Sequence, residues 1–220
     1  MLHITARVPT AKLKIRRSMS RLFQAFCYVH LPQKEHEGYR HSSGKRFKST
    51  NFRIRYFDDR FEIDFVALDE EYEQLLAMAI LKNGLRLGEV HIAETTVSLQ
   101  QRQIPEGDLL VRGFVCAAIK NRLTGQKIFL EPGDSRHTEI ITANALQKHE
   151  ALLGRPYGKE LVIEPVWQSP KPHTFWYEKT PYVAWDAKYK ISADDDMKRL
   201  LLQTGMGSDT MKNLGFLEII

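Results

Sequence analysis

The segment from His36 to Lys48 reads HEGYRHSSGKRFK and holds two imidazoles, two glycines and four cations. Histidine is the one side chain whose unperturbed pKa, about 6.5, lets it accept and release protons near neutral pH. The cations suit a phosphate group, and few of these residues could join a hydrophobic core. We therefore predict a basic, flexible loop that handles phosphates. The alternative is a solvated surface connection, which is what most charged loops are.

A second candidate segment, GMGSDTMKNLGF, runs from Gly205 to Phe216 between a predicted helix and the last predicted strand. Glycine adopts positive φ and lets a ligand approach the backbone closely. Clustered backbone N–H groups in such a loop can form an anion-binding concavity, to which Lys212 would add charge. A plain tight turn is the alternative, and no GK[ST] follows that would make this a Walker A loop.

Other chemistry finds little support in the sequence. Metalloprotease, hydrolase and calcium-loop motifs are missing, and the histidines show no metal-ligand spacing, so we expect no metal and no cofactor. His149 falls on an apolar helix face and is expected to pack in the core. Core packing or a hairpin contact is favoured over base stacking for a group of aromatic residues. These are Phe175, Trp176, Tyr177, Tyr182 and Trp185.

Composition indicates a globular protein, and its basic charge favours a polyanionic partner, although a modest excess of this kind is also common in ordinary soluble proteins. The 220 residues are 43% hydrophobic and 27% charged, with a formal net charge of +5. Cys27 and Cys116 have no partner spacing and read as buried free thiols, which suits a reducing compartment. No apolar run is long enough to span a membrane, and no signal-peptide pattern is visible, so we expect a cytoplasmic protein.

The amino-terminal half alternates between strand-like and helix-like patterns. Alternating β-branched residues predict strands, and apolar residues spaced three to four apart predict helices. The predicted elements are a strand at 2–8, a helix at 18–31, a hairpin of 51–56 and 61–66, a helix between Asp69 and Gly84, and an extended segment at 85–99. This βαββαβ order is that of a ferredoxin-like domain.

The carboxyl-terminal half gives the same order after a turn-rich linker at 104–108. The predicted elements are a strand at 109–119, its hairpin partner at 127–130, a helix at 138–153, strands at 161–168 and within 174–191, a helix at 197–203 and a closing strand at 214–220. We therefore predict an α+β protein of two tandem ferredoxin-like (RRM-like) domains with antiparallel sheets, at 1–103 and 109–220. The two halves are not alike in sequence, so this repeat rests on element order alone.

Taken with these elements, three local sequences resemble the CRISPR precursor-RNA processing endoribonucleases, the Cas-six family of the RAMP superfamily. LFQAFCY at 22–28 looks like that family's first helix, with Gln24 followed four residues later by Tyr28. The pair HEGY at 36–39 and RFK at 46–48 is similar to the family's H-x-x-G-Y…K-x-F-K stretch. The tail is similar to G-Φ-G-x5-G-Φ-G, although its interval is longer and Leu217 replaces the last glycine.

The resemblance implies a reaction that needs no metal. In that family the ribose 2′-OH attacks the neighbouring phosphate and leaves a 2′,3′-cyclic phosphate and a 5′-OH. Such chemistry needs a base, an acid and a cation. By position, His36 would be the acid at the 5′ oxygen, Tyr28 would orient or deprotonate the 2′-OH, and Lys48 would stabilise the phosphorane. His41 competes with His36, and a packed Tyr28 or a merely phosphate-binding Lys48 stays open.

The implied partner is CRISPR repeat RNA in precursor transcripts. The residues expected to bind it are Arg17, Arg21, Arg40, Lys45 and Arg46 near the site, and Gly205, Gly207, Lys212, Asn213 and Gly215 in the tail. Other effector-complex proteins and a homodimer are further expectations, and no membrane is expected. The alternatives are a non-catalytic crRNA-binding subunit or scaffold, and an unrelated ferredoxin-like binder of small molecules.

Overall fold

The first half of the chain folds as an antiparallel sheet covered by helices on one face. The computed structural model describes residues 1–9, 13–121 and 123–220, apart from the side chains of 167 and 168. The elements are β1 (Leu2–Arg7), α1 (Met19–His30), α2 (Gln33–Glu37), β2 (Tyr39–Arg40), β3 (Arg46–Phe47), β4 (Thr50–Tyr56), β5 (Arg60–Ala67), α3 (Glu70–Asn83), β6 (Leu85–Leu87), β7 (Val90–Ile92) and β8 (Thr95–Leu99). The main sheet has the order β4-β5-β1-β8.

Local sequence explains the helices of this half. In α1 the apolar residues Met19, Phe23 and Cys27 recur on one face and are fully buried. The Asp69 carboxylate caps α3 by accepting from Glu71 N at 3.0 Å. Gly84 ends that helix with a φ of 69°, which a residue with a side chain adopts at a cost. These helices and the strands they cover confirm the predicted βαββαβ order.

The second half repeats the architecture. Its elements are β9 (Leu109–Val115), β10 (Ala117–Lys120), β11 (Lys127–Leu130), α4 (Ser135–Leu153), β12 (Val162–Tyr177), β13 (Thr180–Ser192), α5 (Asp195–Thr204) and β14 (Glu218–Ile219). The sheet order β12-β13-β9-β14 matches that of the first half strand for strand. The chain is thus an α+β protein with two tandem ferredoxin-like domains, as predicted. The boundaries at 103 and 109 stay a prediction.

Several elements differ from the sequence-based expectation. The histidine segment is not a flexible loop, because it forms α2 and the β2–β3 hairpin. Helix α4 begins one turn early, where Asp134 accepts from Arg136 N. β12 runs through both predicted strand regions, with a register shift between Val166 and Lys171. The closing strand is reduced to the two residues of β14.

The two halves are joined by specific contacts between backbone and side chains. Asn213 Oδ1 accepts from Ile54 N at 2.7 Å. The Arg53 guanidinium lies 2.7 Å from Asp64 and 2.6 Å from Glu218, so it pairs across the interface. Arg102 donates to the carbonyls of Leu202 and Leu217. These contacts fix the relative orientation of the domains, and therefore the walls of the cleft between them.

The buried and apolar features agree with the remaining predictions. Cys27 and Cys116 are both free and buried, as expected. His149 is 3% exposed and hydrogen-bonds through Nδ1 to the carbonyl of Arg155, so it is a core histidine. Across the described parts of the chain, no helix combines the length and the apolar content needed to cross a membrane.

Candidate active site

Tyr28, His36 and Lys48 lie in contact although they come from three different parts of the first domain. The ring of Tyr28, near the end of α1, meets the ring of His36 edge-on, with the centroids 5.0 Å apart. Lys48 Nζ lies 4.8 Å from the centroid of the Tyr28 ring. An imidazole, a phenol and an ammonium therefore share one surface, and they can supply a proton donor, an orienting hydrogen bond and a positive charge to phosphodiester cleavage by a 2′-OH.

Lys48 is held by the end of α2. Its Nζ donates to the carbonyl oxygens of Glu35 and His36 at 2.5 Å and 2.7 Å. Burial lowers the pKa of Lys48, and the Glu35 carboxylate partly opposes this shift. An ammonium donates three hydrogen bonds, so one N–H of Lys48 is left for a ligand.

Glu35 is a supporting residue that sequence reasoning missed. Its side chain is fully buried and accepts from Ser49 Oγ at 2.5 Å and from Thr50 Oγ1 at 3.3 Å. These bonds tie α2 to the start of β4, directly beside Lys48. A buried carboxylate costs free energy unless it is hydrogen-bonded. Because both oxygens of Glu35 accept hydrogen bonds, the geometry favours a structural role in which Glu35 anchors α2. Glu35 and Glu37 both lie in the polar sequence QKEHE, and nothing in that sequence indicates that Glu35 is buried while Glu37 is exposed.

The hydroxyl of Tyr28 is part of a chain of hydrogen bonds. Gln24 Nε2, one helical turn earlier, donates to Tyr28 Oη at 3.2 Å. Gln24 Oε1 in turn accepts from the hydroxyl of Tyr177, at the end of β12 in the second domain. Burial raises the pKa of Tyr28 well above its usual value. The phenol therefore stays protonated at neutral pH, which suits orienting the 2′-OH rather than deprotonating it.

His41 lies apart from this cluster. Its Nε2 is 3.3 Å from Glu150 Oε2 on α4, and its Nδ1 accepts from Ser43 N at 3.0 Å. Lys45 Nζ, on the same hairpin, donates to Asn144 Oδ1 of α4 at 2.9 Å. His41 and Lys45 thus dock the β2–β3 hairpin onto the second domain. Of the two candidate histidines, the geometry favours His36 for chemistry.

A cleft of about 670 Å³ between the domains brings together the two segments singled out in the sequence. Its walls include Gln24, Lys45, Arg46 and Lys48 from the first domain, Asn144 and Lys148 from α4, and Gly207, Ser208, Asp209 and Lys212 from the tail. Lys48 lines the cleft and also touches Tyr28 and His36. The catalytic candidates therefore stand at the rim of a cleft rich in cations.

The tail glycines serve close packing. Gly205 and Gly215 have positive φ, and a Cβ on Gly215 would lie 2.2 Å from the Met206 carbonyl oxygen. The N–H of Gly205 bonds to Leu201 O, and the N–H of Gly215 bonds to Phe114 O. These two amides are engaged within the protein, so an anion-binding concavity in the tail would have to use other N–H groups of the loop. Gly207 still lines the cleft, and a Cβ added to it would lie 2.5 Å from the Cys116 carbonyl oxygen.

The other predicted RNA-binding residues occupy varied positions. Arg17, Arg21, Arg40 and Arg46 are all exposed, and Arg21 Nε lies 3.8 Å from Glu178 at the tip of the β12–β13 hairpin. Lys212 donates to Tyr182 Oη at 2.6 Å and to Asp209 at 2.8 Å. Burial lowers the pKa of Lys212, but the hydrogen bonds to Asp209 and Tyr182 outweigh this effect and raise the pKa above its usual value. Lys212 is therefore a fixed cation at the cleft wall.

Comparison with known proteins agrees with this architecture. Residues 114–219 match the family described as "CRISPR associated protein Cas6, C-terminal". A structure described as a Cas6-related gene from Pyrococcus furiosus superposes with a TM-score of 0.77 at 14% identity, covering 100% of this chain and 98% of that one. A RAMP protein binding different RNA substrates gives 0.73 at 11% identity over 100% of both chains. A Cas6 product complex gives 0.69 at 16% identity, covering 100% and 98%.

No curated protein sequence matches the chain at a significant level. The structural likenesses, at these identities, establish a shared fold of two ferredoxin-like domains over the full length. Residues 114–219, which make up most of the second domain, match the Cas6 C-terminal family, and the whole chain shares the fold of the solved Cas6 structures.

Proposed function

We propose that the protein is a metal-independent endoribonuclease that cuts CRISPR repeat RNA within precursor transcripts to give mature crRNA. The observation that carries this proposal is the contact of Tyr28, His36 and Lys48 at the rim of the basic cleft. Solved proteins of the same fold include a Cas6 product complex and an endoribonuclease Cse3 bound to a 19-nucleotide RNA. Those descriptions support RNA as the substrate class here.

Each side chain has a defined part in the reaction. Tyr28 donates a hydrogen bond that aligns the 2′-OH, whose oxygen forms the new bond to phosphorus. The 2′-OH proton leaves to water, and His36 delivers a proton to the departing 5′ oxygen, so the proton count balances. Lys48 stabilises the charge that builds on the phosphorane through its remaining N–H. The products are a 2′,3′-cyclic phosphate and a 5′-OH.

Arginine and lysine side chains along the cleft would bind the RNA backbone. Arg46 and Lys212 line the cleft directly, and Arg17, Arg21 and Arg40 are candidates on the surface outside it. Contacts of this kind fix the register of the RNA, whereas base contacts select its sequence. Binding of a second copy of the chain, or of other effector-complex proteins, stays a prediction.

The test is single-turnover cleavage of the repeat RNA from the neighbouring array, in EDTA. We expect wild-type protein to cut once per repeat and to leave a cyclic phosphate. His36→Ala should lower the rate constant by about 10²–10⁴-fold, the usual contribution of a positioned acid, with the RNA dissociation constant changed by less than about twofold. His91→Ala, which removes an exposed imidazole on β7, is the matched control and should cut normally.

Three results would count against the nuclease. They are an uncut substrate, a product with a 3′-OH, and an unchanged rate for His36→Ala. The second candidate function is RNA binding without cutting. It is favoured by one observation, since Lys48 already spends two N–H groups on the carbonyls of Glu35 and His36. Tight binding of the repeat by wild-type protein with no cleavage would select it.

A further inference from the structure

A hydrogen-bonded chain of three side chains crosses the domain interface at the active-site candidate. The Tyr177 hydroxyl donates to Gln24 Oε1, and Gln24 Nε2 donates to Tyr28 Oη. Tyr177 lies 153 positions from Gln24 in sequence and belongs to the other domain. The roles that the resemblance assigned do not use Gln24 or Tyr177.

The direction of these bonds has a chemical consequence. A phenol can donate one hydrogen bond, and an amide has one oxygen that only accepts and one nitrogen that only donates. Because Tyr177 donates to the oxygen, the nitrogen of Gln24 must face Tyr28. Tyr28 Oη is thus an acceptor toward the protein, and no described residue hydrogen-bonds to its proton. That proton is left for a ligand.

We propose that Gln24 and Tyr177 are positioning residues that keep the O–H of Tyr28 directed at the RNA. This inference rests on the proposed nuclease function and deepens it. It assigns a part in the reaction to the second domain, whose hairpin supplies Tyr177. Completion of the site then depends on the tip of the β12–β13 hairpin being seated on α1.

Contacts with neighbouring residues hold the tip of the β12–β13 hairpin against α1. Lys212 Nζ lies 5.2 Å from the Tyr177 ring centroid and donates to Tyr182 on the paired strand. Next to Tyr177, Glu178 lies 3.8 Å from Arg21 Nε on α1. Gln24 itself lines the interdomain cleft. Removing only the Tyr177 hydroxyl would leave this packing in place and free the Gln24 amide to turn over and accept the Tyr28 proton.

The first test is a double-mutant cycle on single-turnover cleavage. Tyr177→Phe should slow cleavage about three- to tenfold, the equivalent of one ordinary hydrogen bond, with little change in RNA affinity. In a Tyr28→Phe background, Tyr177→Phe should have no further effect, because it acts through the missing hydroxyl. Tyr157→Phe, which removes a hydroxyl bonded to Asp194 far from the site, is the matched control and should cut normally.

The second test reverses the hydrogen bond between Gln24 and Tyr28 by a substitution that keeps the shape of the Gln24 side chain. In Gln24→Glu the carboxylate accepts from both phenols, so Tyr28 must point its proton inward. We expect its cleavage rate to fall to that of Tyr28→Phe, with the fold intact by circular dichroism. Wild-type cleavage by Gln24→Glu would overturn the proposal. The proposal would also be overturned if the loss of cleavage rate in the double variant were the product of the losses in Tyr28→Phe and Tyr177→Phe.

A readout without RNA separates this proposal from the nuclease assignment. With ¹³Cζ-labelled tyrosine, the Tyr28 resonance should shift in Tyr177→Phe and in Gln24→Glu but not in Tyr157→Phe. If the wild-type protein cuts no RNA, the nuclease assignment falls and the NMR shifts alone decide whether the chain of bonds exists. If it cuts RNA and the Tyr28 resonance does not move, the positioning role is refuted while the nuclease stands.

Discussion

Lys148 is a buried cation whose hydrogen bonds go to main-chain carbonyls at the end of α5. Its Nζ donates to Thr204 O at 3.0 Å and to Gly205 O at 2.6 Å, and the residue is 2% exposed. Burial lowers the pKa of Lys148 to about 7. A neutral amine still has two N–H groups, enough for both carbonyls. Lys148 can thus secure the tail without carrying a charge.

This burial predicts a pH dependence of stability. An unfolded lysine has a pKa of about 10.4, so between pH 7 and pH 10 the unfolded chain holds a proton that folded Lys148 does not. The free energy of unfolding should therefore rise with pH in this window, by at most about 1.4 kcal/mol per pH unit. This stabilisation is lost as the pH falls across the same window, and it is gone below about pH 7, where the folded and the unfolded chain both carry the proton.

The measurement is urea unfolding of wild type and of Lys148→Met at about pH 6.5 and pH 9. The variant loses both hydrogen bonds at either pH, so its deficit should widen at the higher pH. Parallel curves for the two proteins would show that Lys148 does not change protonation in this range.

The residues of the candidate site could be predicted from the sequence only where they belong to a motif. The resemblance singled out Tyr28, His36 and Lys48, and the structure places these three in contact. It could not single out Glu35, because a carboxylate in a polar stretch looks solvated until the fold buries it. Nor could it reveal that Tyr177 reaches Gln24, because this depends on the docking of two domains.

At the scale of elements, the tail shows why glycine occurs where it does. At Gly215 φ is 71° and a Cβ would overlap the Met206 carbonyl oxygen. At Gly44, in the turn of the β2–β3 hairpin, φ is 83° but no atom lies within 4 Å of the added Cβ. The two glycines share the conformational requirement and differ in steric space.

This contrast makes a matched pair of variants. Gly44→Ala should cost about 1 kcal/mol of stability, the usual penalty of a side chain at positive φ. Gly215→Ala should cost about 3 kcal/mol or more, since backbone must also move to relieve the overlap. Chemical denaturation of both variants checks this, and equal losses would mean that the close approach at Gly215 carries no energetic weight.

The elements that sequence patterns missed are the short ones. α2 has five residues, and β2 and β3 have two each, so none is long enough to show a helical or alternating period. Their conformation depends on tertiary contacts, such as Lys45 with Asn144 and His41 with Glu150. The four long helices, whose buried faces repeat over several turns, were predicted within a few residues of their ends, whereas the long strand β12 was predicted as parts of two strands.

At the scale of the whole molecule, the order of strands and helices predicted the two domains but not their arrangement. Arg53 joins Asp64 and Glu218, and Asn213 joins the tail to β4, through pairs remote in sequence. Periodicity describes which face of one element is apolar, and it contains no information on such pairs. The cleft exists because of them, and its charge is therefore a property of the assembled molecule.

The charge of the cleft yields a prediction for RNA binding. Lys45, Arg46, Lys48 and Lys212 line it. If each neutralises one phosphate of a single strand, the logarithm of the association constant should fall against the logarithm of salt concentration with a slope of about −3. Arg46→Ala should weaken binding to all sequences alike and reduce the slope by about 0.7, because one fewer counterion is released. Arg86→Ala, an exposed arginine on β6, is the matched control and should leave the slope unchanged. A slope near zero for the wild type, or equal effects of the two substitutions, would show that RNA does not bind in this cleft.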